Sequence, residues 1–294
     1  MVPSDSKNIF TANKKNILNI LFESEERLTA QAYIKKIKRQ FLLSFAEAKT
    51  ILQELIDDQE LSYNYLYGST YVEKNFLKPV SITNHFTLKP PGFHQSLNPG
   101  NLNQKNLQKE NIEITIAPGI SFGSGSHPTT RLCLKAIDFC FFEREIINLD
   151  ENLKAADIGT GSGVLAMAMC LAGITSCSAY EIDPLSISEV KKNIKLNHLE
   201  SKINVIETTI KKSKNRFSII CANLRPPTLM ALSDIIYTSL KKNGIAVISG
   251  VRQWEKDALI DTYTKKGMEL IWLEETKKWS AFVLKKFVLK KKIC

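Results

Sequence analysis

The sequence predicts an α/β chain, a Rossmann-like, doubly wound sheet of seven strands preceded by a smaller winged-helix-like domain. Three observations carry this expectation. From Ile112 onward, apolar runs of strand length alternate with helix-length amphipathic runs, as in a parallel sheet whose crossovers are helices. The run Asp157-Ile158-Gly159-Thr160-Gly161-Ser162-Gly163 stands where an apolar segment gives way to a helical one. Before residue 80, three helical patterns are followed by strict apolar alternation. The expected domains are therefore residues 1–80, a linker over 81–111, and the α/β domain over 112–294.

In the N-terminal domain Ile17, Leu18, Ile20 and Leu21 mark the first apolar face. Tyr33, Ile34, Ile37 and Phe41 mark a second, and Phe45, Ala48, Ile51, Leu52 and Leu55 a third. Ser44 with Glu47 three residues on reads as a capping box for the third helix. Alternation at Leu61, Tyr63, Tyr65 and Tyr67, a Gly68-Ser69 turn and a strand through Tyr71-Val72 complete a hairpin. Winged helices commonly meet DNA through the third helix, but here that helix carries Glu47, Glu54, Asp57 and Asp58 against Lys49. The basic residues Lys35, Lys36, Lys38 and Arg39 sit on the second. A protein-docking or dimerising role is the expectation. Pro90-Pro91-Gly92, Asn98-Pro99-Gly100 and a polar Asn/Gln stretch mark the linker.

A strand at 112–117 leads into the second domain. The seven sheet strands are expected at 155–158, 178–182, 204–207, 217–223, 245–249, 269–274 and 281–285, with helices near 128–143, 162–172, 184–198, 227–241 and 253–266. In such sheets the ligand sits at the carboxyl ends of the strands.

Composition narrows the class. No apolar run is long enough to span a bilayer, and residues 1–13 lack the apolar stretch of a secretory signal. Cys133, Cys140, Cys170, Cys177, Cys221 and Cys294 are scattered, with no Cys-x-x-Cys pair. Reduced thiols in the cytoplasm and no metal site are expected. The net charge is +10, yet residues 1–80 are almost balanced, with 11 basic against 10 acidic side chains. The excess gathers at Lys211, Lys212, Lys214 and Arg216, then at Lys277, Lys278, Lys285, Lys286, Lys290, Lys291 and Lys292. RNA or a ribosomal surface suits that field, and so do plain solvated lysine faces.

The glycine run carries the chemistry. A strand that breaks into glycines at a helix start brings backbone N–H groups close to a ligand's polar tail. Glu181, at the end of the next apolar segment, is placed to accept hydrogen bonds from two ribose hydroxyls. A dinucleotide fingerprint needs a third glycine where this chain has Val164. A second signal is the segment from Ala117 to Thr130, in which Gly123 and Gly125 permit a tight loop and Pro128 suits a first helical turn. Thr129 and Thr130 then offer hydroxyls and free N–H groups for a carboxylate. His127 reads as a loop-packing residue, and no general base is assigned. The third signal is Ala222-Asn223-Leu224, which leaves a polar amide at a strand's carboxyl end.

The pattern Asp-x-Gly-x-Gly-x-Gly resembles motif I of class I S-adenosylmethionine-dependent methyltransferases. With Phe-Gly-Ser-Gly-Ser-His-Pro-Thr-Thr at 122–130, Glu-Ile-Asp-Pro at 181–184, Ala-Asn-Leu at 222–224 and Ile-Ser-Gly-Val at 248–251, the chain resembles the PrmA family. Those bacterial enzymes methylate the eleventh protein of the large ribosomal subunit. The resemblance covers roughly residues 112–285, with a weaker echo near His85 to His94. It implies a cofactor, S-adenosylmethionine, contacted by Thr130, Gly159, Glu181 and Asn223, with Asp157, Gly161 and Gly163 completing the loop. It also implies a ribosomal protein lysine or terminal amine as acceptor. Asp183 reads instead as a chain-turning residue beside Pro184. Three departures stand out. Glu181 replaces the family's usual Asp, Leu224-Arg225-Pro226-Pro227 replaces small apolar residues, and the N-terminal helices replace the family's ferredoxin-like module. The altered loop and basic clusters keep an RNA or small-molecule acceptor open. The helical module keeps open a cofactor-binding DNA regulator, against which the acidic third helix speaks.

Overall fold

Apolar periodicity becomes burial in two separate units, Met1–Lys78 and Pro79–Cys294. The computed structural model describes residues 14, 16–21, 24, 27–66, 68–75, 78–93, 111–119, 121, 123, 125, 127–144, 146–147, 152–212 and 216–287. Residues 1–13, Tyr67, 94–110 (with His94), Phe122, Ser124, Ser126, Lys214, Lys290, Lys291, Lys292 and Cys294 lie outside the described residues.

The first unit contains α1 (residues 16–21), α2 (Ala30–Phe41), α3 (Phe45–Asp57) and the antiparallel strands β1 (Leu61–Leu66) and β2 (Ser69–Lys74). Its core gathers Ile17, Tyr33, Ile37, Ile51, Leu55, Leu61 and Val72, one stripe from each helix and one face of the hairpin. The buried Tyr33 hydroxyl donates to the Ile17 carbonyl at 2.8 Å, so a large ring is buried without stranding its polar end. The capping box forms: Glu47 N donates to Ser44 Oγ at 3.2 Å, and Ser44 N to Glu47 Oε2 at 2.8 Å. Thr29 caps α2 through Ala32 N. Leu42, in the left-handed region at φ 55°, ends that helix.

The second unit begins at Pro79, so the stretch expected as a linker opens with strands of that unit. Strands β3 (Val80–Ser81) and β4 (Phe86–Lys89) pair antiparallel, and β4 runs parallel to β5 (Ile112–Thr115). Phe86, Leu88 and Ile114 are buried. The proline and glycine signals that suggested a linker follow β4 rather than interrupt it, and β5 packs against the helix Val164–Leu171. Residues 112–115 thus belong to this small sheet and not to the large one. His85, between β3 and β4, is pinned by Asp138: its Nδ1 lies 2.8 Å from Oδ1 and its backbone N donates to Oδ2 at 3.3 Å. Both side chains are almost wholly buried.

The remaining elements are α4 (Pro128–Asp138) with a π-helical turn Phe139–Glu143, β6 (Lys154–Ile158), α5 (Val164–Leu171), β7 (Ser176–Tyr180), α6 (Pro184–Leu196), β8 (Ile203–Ile206), β9 (Phe217–Asn223), α7 (Pro226–Ser239), β10 (Leu240–Arg252), α8 (Lys256–Thr264), β11 (Met268–Thr276) and β12 (Trp279–Lys286). The seven expected strands form one sheet in the order β11-β12-β10-β9-β6-β7-β8. Strands β6 to β10 are parallel to one another, while β12 is antiparallel to β10 and β11. After β6 the chain moves outward through β7 and β8, then crosses back to lay β9 on the other side. The topological switch therefore falls between β6 and β9. Phe217–Ala222 of β9 are buried without alternation, as a strand covered on both faces requires. Helix α5 is apolar all round and buried from Val164 to Cys170, because the sheet lies on one side and β5 on another.

Boundaries shift where geometry overrides pattern. Strand β7 stops at Tyr180 rather than at Ile182, so Glu181 stands just beyond the ladder. The helix expected over 128–143 turns π-helical after Asp138, where Phe142 stacks on His85 at 4.3 Å. Removing the carboxylate beneath His85 leaves the buried ring Nδ1 without its partner, while the backbone N keeps Thr83 Oγ1 at 3.2 Å. Asp138→Ala is expected to lower unfolding free energy by about 3 kcal/mol, read from urea melts; a loss below ~1 kcal/mol would show that this pair carries little.

Candidate functional site

At the end of β6, Asp157 is fully buried beneath the glycine turn. Its Oδ2 accepts from Thr160 Oγ1 at 2.6 Å and from Ala166 N at 3.1 Å. Ala166 N is one of the orphan donors at the start of α5, and the N-cap position is Gly163, which has no side chain to offer. A carboxylate nine residues upstream therefore does the capping and ties strand, turn and helix together. Gly163 takes φ 84°, and an added Cβ there would lie 2.6 Å from Val190 Cγ2. Gly159, at φ 69°, leaves a Cβ-sized space filled by Leu224 Cδ2 at 2.5 Å. The turn thus depends on glycine both for its backbone angles and for the close approach of its neighbours.

Glu181 faces the same turn from β7. Its Oε2 accepts from Gly161 N at 3.0 Å, while Oε1 accepts from Ile182 N at 2.9 Å and Asp183 N at 3.1 Å. Three backbone donors thus hold one carboxylate at the carboxyl edge of the sheet. Asp183 turns the chain as expected from its place before Pro184: it caps α6, accepting from Ser186 N at 2.9 Å. That bond, with the Ser186 hydroxyl, holds its carboxyl below the usual range.

Thr130 and Asn223 reach this edge from other elements. His127 caps α4, its Nδ1 accepting from Thr129 N at 3.3 Å and lying 2.8 Å from Thr129 Oγ1. Thr130 follows in the first turn, 1% exposed, with Oγ1 unpartnered. One turn further along α4, Cys133 meets Ser249 and Asp157, and burial pushes its thiol well up. Asn223 ends β9 opposite Ser249 of β10, and its Oδ1 is buried without a hydrogen-bond partner. So is Oγ of Ser162 within the glycine turn. Three unmatched oxygens on three elements at one edge are unusual for protein interiors, where buried polar atoms are paired. Asp157, Gly161 and Glu181 are joined through the turn; Thr130 and Asn223 border it without a direct bond to those three. The sequence reading did not identify Thr160, Ser162 or Ala166 as functional, although Thr between the glycines was its visible sign.

Burial raises the Asp157 carboxyl to about 6, with the charge of Glu181 adding to that and the Thr160 and Ala166 bonds opposing it. The folded pKa lies above the unfolded one, so the folded state holds this proton more tightly. Its contribution is therefore most favourable below about pH 4 and is lost as pH rises through about 6. Asp157→Asn removes the titration. Relative to wild type, the variant is expected to gain roughly 3 kcal/mol between pH 4 and 7, read from paired denaturant melts. A stability difference that stays flat across that range contradicts the assignment.

The family model described as Ribosomal protein L11 methyltransferase (PrmA) matches residues 5–287, which extends the resemblance through the N-terminal unit. The ribosomal protein L11 methyltransferase of Oceanobacillus iheyensis is 28% identical over 272 residues, covering 89% of this chain and 80% of that protein. The protein of the same name from Bacillus licheniformis is 29% identical over 249 residues, covering 81% and 74%. A crystal structure of ribosomal protein L11 methylase from Lactobacillus delbrueckii subsp. bulgaricus superposes with a TM-score of 0.59 at 21% identity, covering 72% of this chain and all of that one. That likeness establishes the methyltransferase fold. The chain belongs to the ribosomal protein L11 methyltransferase (PrmA) family and is an S-adenosylmethionine-dependent methyltransferase of that family.

Proposed function

We propose that this enzyme methylates an amine of a ribosomal protein, with S-adenosylmethionine held across the turn at 159–163. The observation that carries the reading is the Glu181 carboxylate bonded to Gly161 N at 3.0 Å across the ends of β6 and β7, at the same edge of the sheet as the unpartnered oxygens of Thr130, Ser162 and Asn223. A nucleoside bearing an amino-acid tail supplies the matching groups: ribose hydroxyls for Glu181, a carboxylate for Thr130, and donors for Asn223 Oδ1. Gly159 allows close backbone approach. Asp157 belongs to the site as the group that holds the turn, its hydrogen bonds to Thr160 and Ala166 being internal.

The cofactor supplies an activated methyl group on a sulfonium. The chain's own residues orient it, exclude water and present the acceptor in line, which is the larger part of catalysis for a displacement without a covalent enzyme intermediate. The acceptor amine has to arrive unprotonated. His127 is engaged with Thr129 and packed edge-on to Trp279 at 5.0 Å, so it serves the loop and helix start.

We read residues 1–80 as a winged-helix-like module that docks the acceptor protein, supported by Leu42 and Phe45, which are exposed at the turn between α2 and α3. L11 is the acceptor we propose, because the relatives carry that substrate in their names. A cytoplasmic setting follows from such an acceptor. No helix among the described residues is long and apolar enough to cross a membrane.

The test is methyl transfer from labelled cofactor to ribosomal proteins of a strain lacking the enzyme. Mass spectrometry is expected to find label on L11, in increments of one methyl group. Label confined to RNA or to small molecules would replace this acceptor with another.

A further inference from the structure

Arg252 ends β10 at the same edge as Asn223. Asn223 pairs with Ser249, and the strand continues past a bulge to Arg252, which pairs with Trp279 of β12. The guanidinium carbon lies 3.6 Å from the Trp279 ring centroid and 5.8 Å from that of Trp254. Trp279 in turn meets His127, the cap of the helix that carries Thr130. A continuous row of side chains therefore runs from the start of α4 to Trp254, which is 69% exposed.

A guanidinium laid flat on an indole keeps its N–H edge pointing outward in a fixed plane. Such an arginine usually meets a carboxylate, and the nearby ones are engaged elsewhere. Glu255 Oε2 accepts from the backbone N of Arg252 at 2.9 Å. Glu275 takes Lys256 at 3.2 Å, Ser280 Oγ at 2.9 Å and Gln253 Nε2 at 3.4 Å. Among the described residues, no hydrogen bond or ion pair reaches the Arg252 guanidinium. Among the described residues its ring contacts are the two indoles, which hold the plane without using the donors. A held fork with free donors, three residues past the strand partner of Asn223, suits a planar anion.

We propose that Arg252 is a specificity determinant for the acceptor: its fork binds a carboxylate carried beside the amine that is methylated, and Trp254 covers the stem of the same segment. The acceptor class is thus a polypeptide in which Asp or Glu flanks the modified amine. This rests on the proposed function, in which the acceptor meets the cofactor at the strand ends that carry Asn223.

Two labelled peptides, one with its lysine flanked by glutamate and one by glutamine, are titrated against the full-length protein by fluorescence anisotropy. Wild type is expected to prefer the glutamate peptide about tenfold, the worth of one charge-assisted hydrogen-bonded pair. Arg252→Gln is expected to lose the preference. Arg252→Lys keeps the charge without the fork and retains about a third of it. In methyl transfer, Arg252→Gln is expected to raise KM for the ribosomal protein about tenfold while Kd for S-adenosylmethionine stays put. A wild type without preference, including one that binds neither peptide, overturns the proposal, as does a preference that survives Arg252→Gln. Should the preference hold while wild type labels no ribosomal protein, the acceptor assignment fails and the Arg252 assignment stands.

Discussion

A single buried carboxylate organises this molecule. Asp157 lies at the end of a central strand with no exposure to solvent to offset its charge. Desolvation of that kind is costly unless the group is hydrogen-bonded. It persists because its two bonds join pieces that otherwise have little reason to stay together: the hydroxyl within a glycine-rich turn and an orphan N–H at the start of α5. Without it, three glycines at positive φ are a flexible loop. With it, the turn is a fixed surface of backbone groups at the carboxyl edge of the sheet.

The sheet order then decides what that surface faces. Because the chain crosses back between β6 and β9, the turn lies beside the switch point, and the ends of β7, β9 and β10 bring their residues to the same edge of the sheet as the start of α4. Each brings a different chemistry: Glu181 a carboxylate already held by backbone donors, Asn223 and Thr130 unmatched oxygens, and Arg252 an unmatched fork.

Much of this was legible before any coordinates. The seven strands and their order of appearance follow from apolar runs, since a strand buried on both faces, such as Phe217–Ala222, leaves no other reading. The candidate site residues stand out in the sequence because glycine, carboxylate and amide sit where apolar runs end. Less legible were contacts set by packing across the sheet. Nothing local tells that Asp157 reaches Ala166, that β5 pairs with β4 instead of the large sheet, or that Arg252 lies on Trp279. These pairs are separated along the chain and meet only through topology. The strand at 86–89 was hidden by the prolines after it, which end a strand as readily as they mark a linker.

The most direct test of the account is calorimetric titration of S-adenosylhomocysteine, the product form of the cofactor, into wild type and Glu181→Ala. If the turn and its facing carboxylate form the cofactor cradle, wild type binds one equivalent and the variant binds roughly a hundredfold more weakly, the loss of two hydrogen bonds to a charged group. Equal affinity in the two proteins, or no heat of binding from folded wild type, would contradict it.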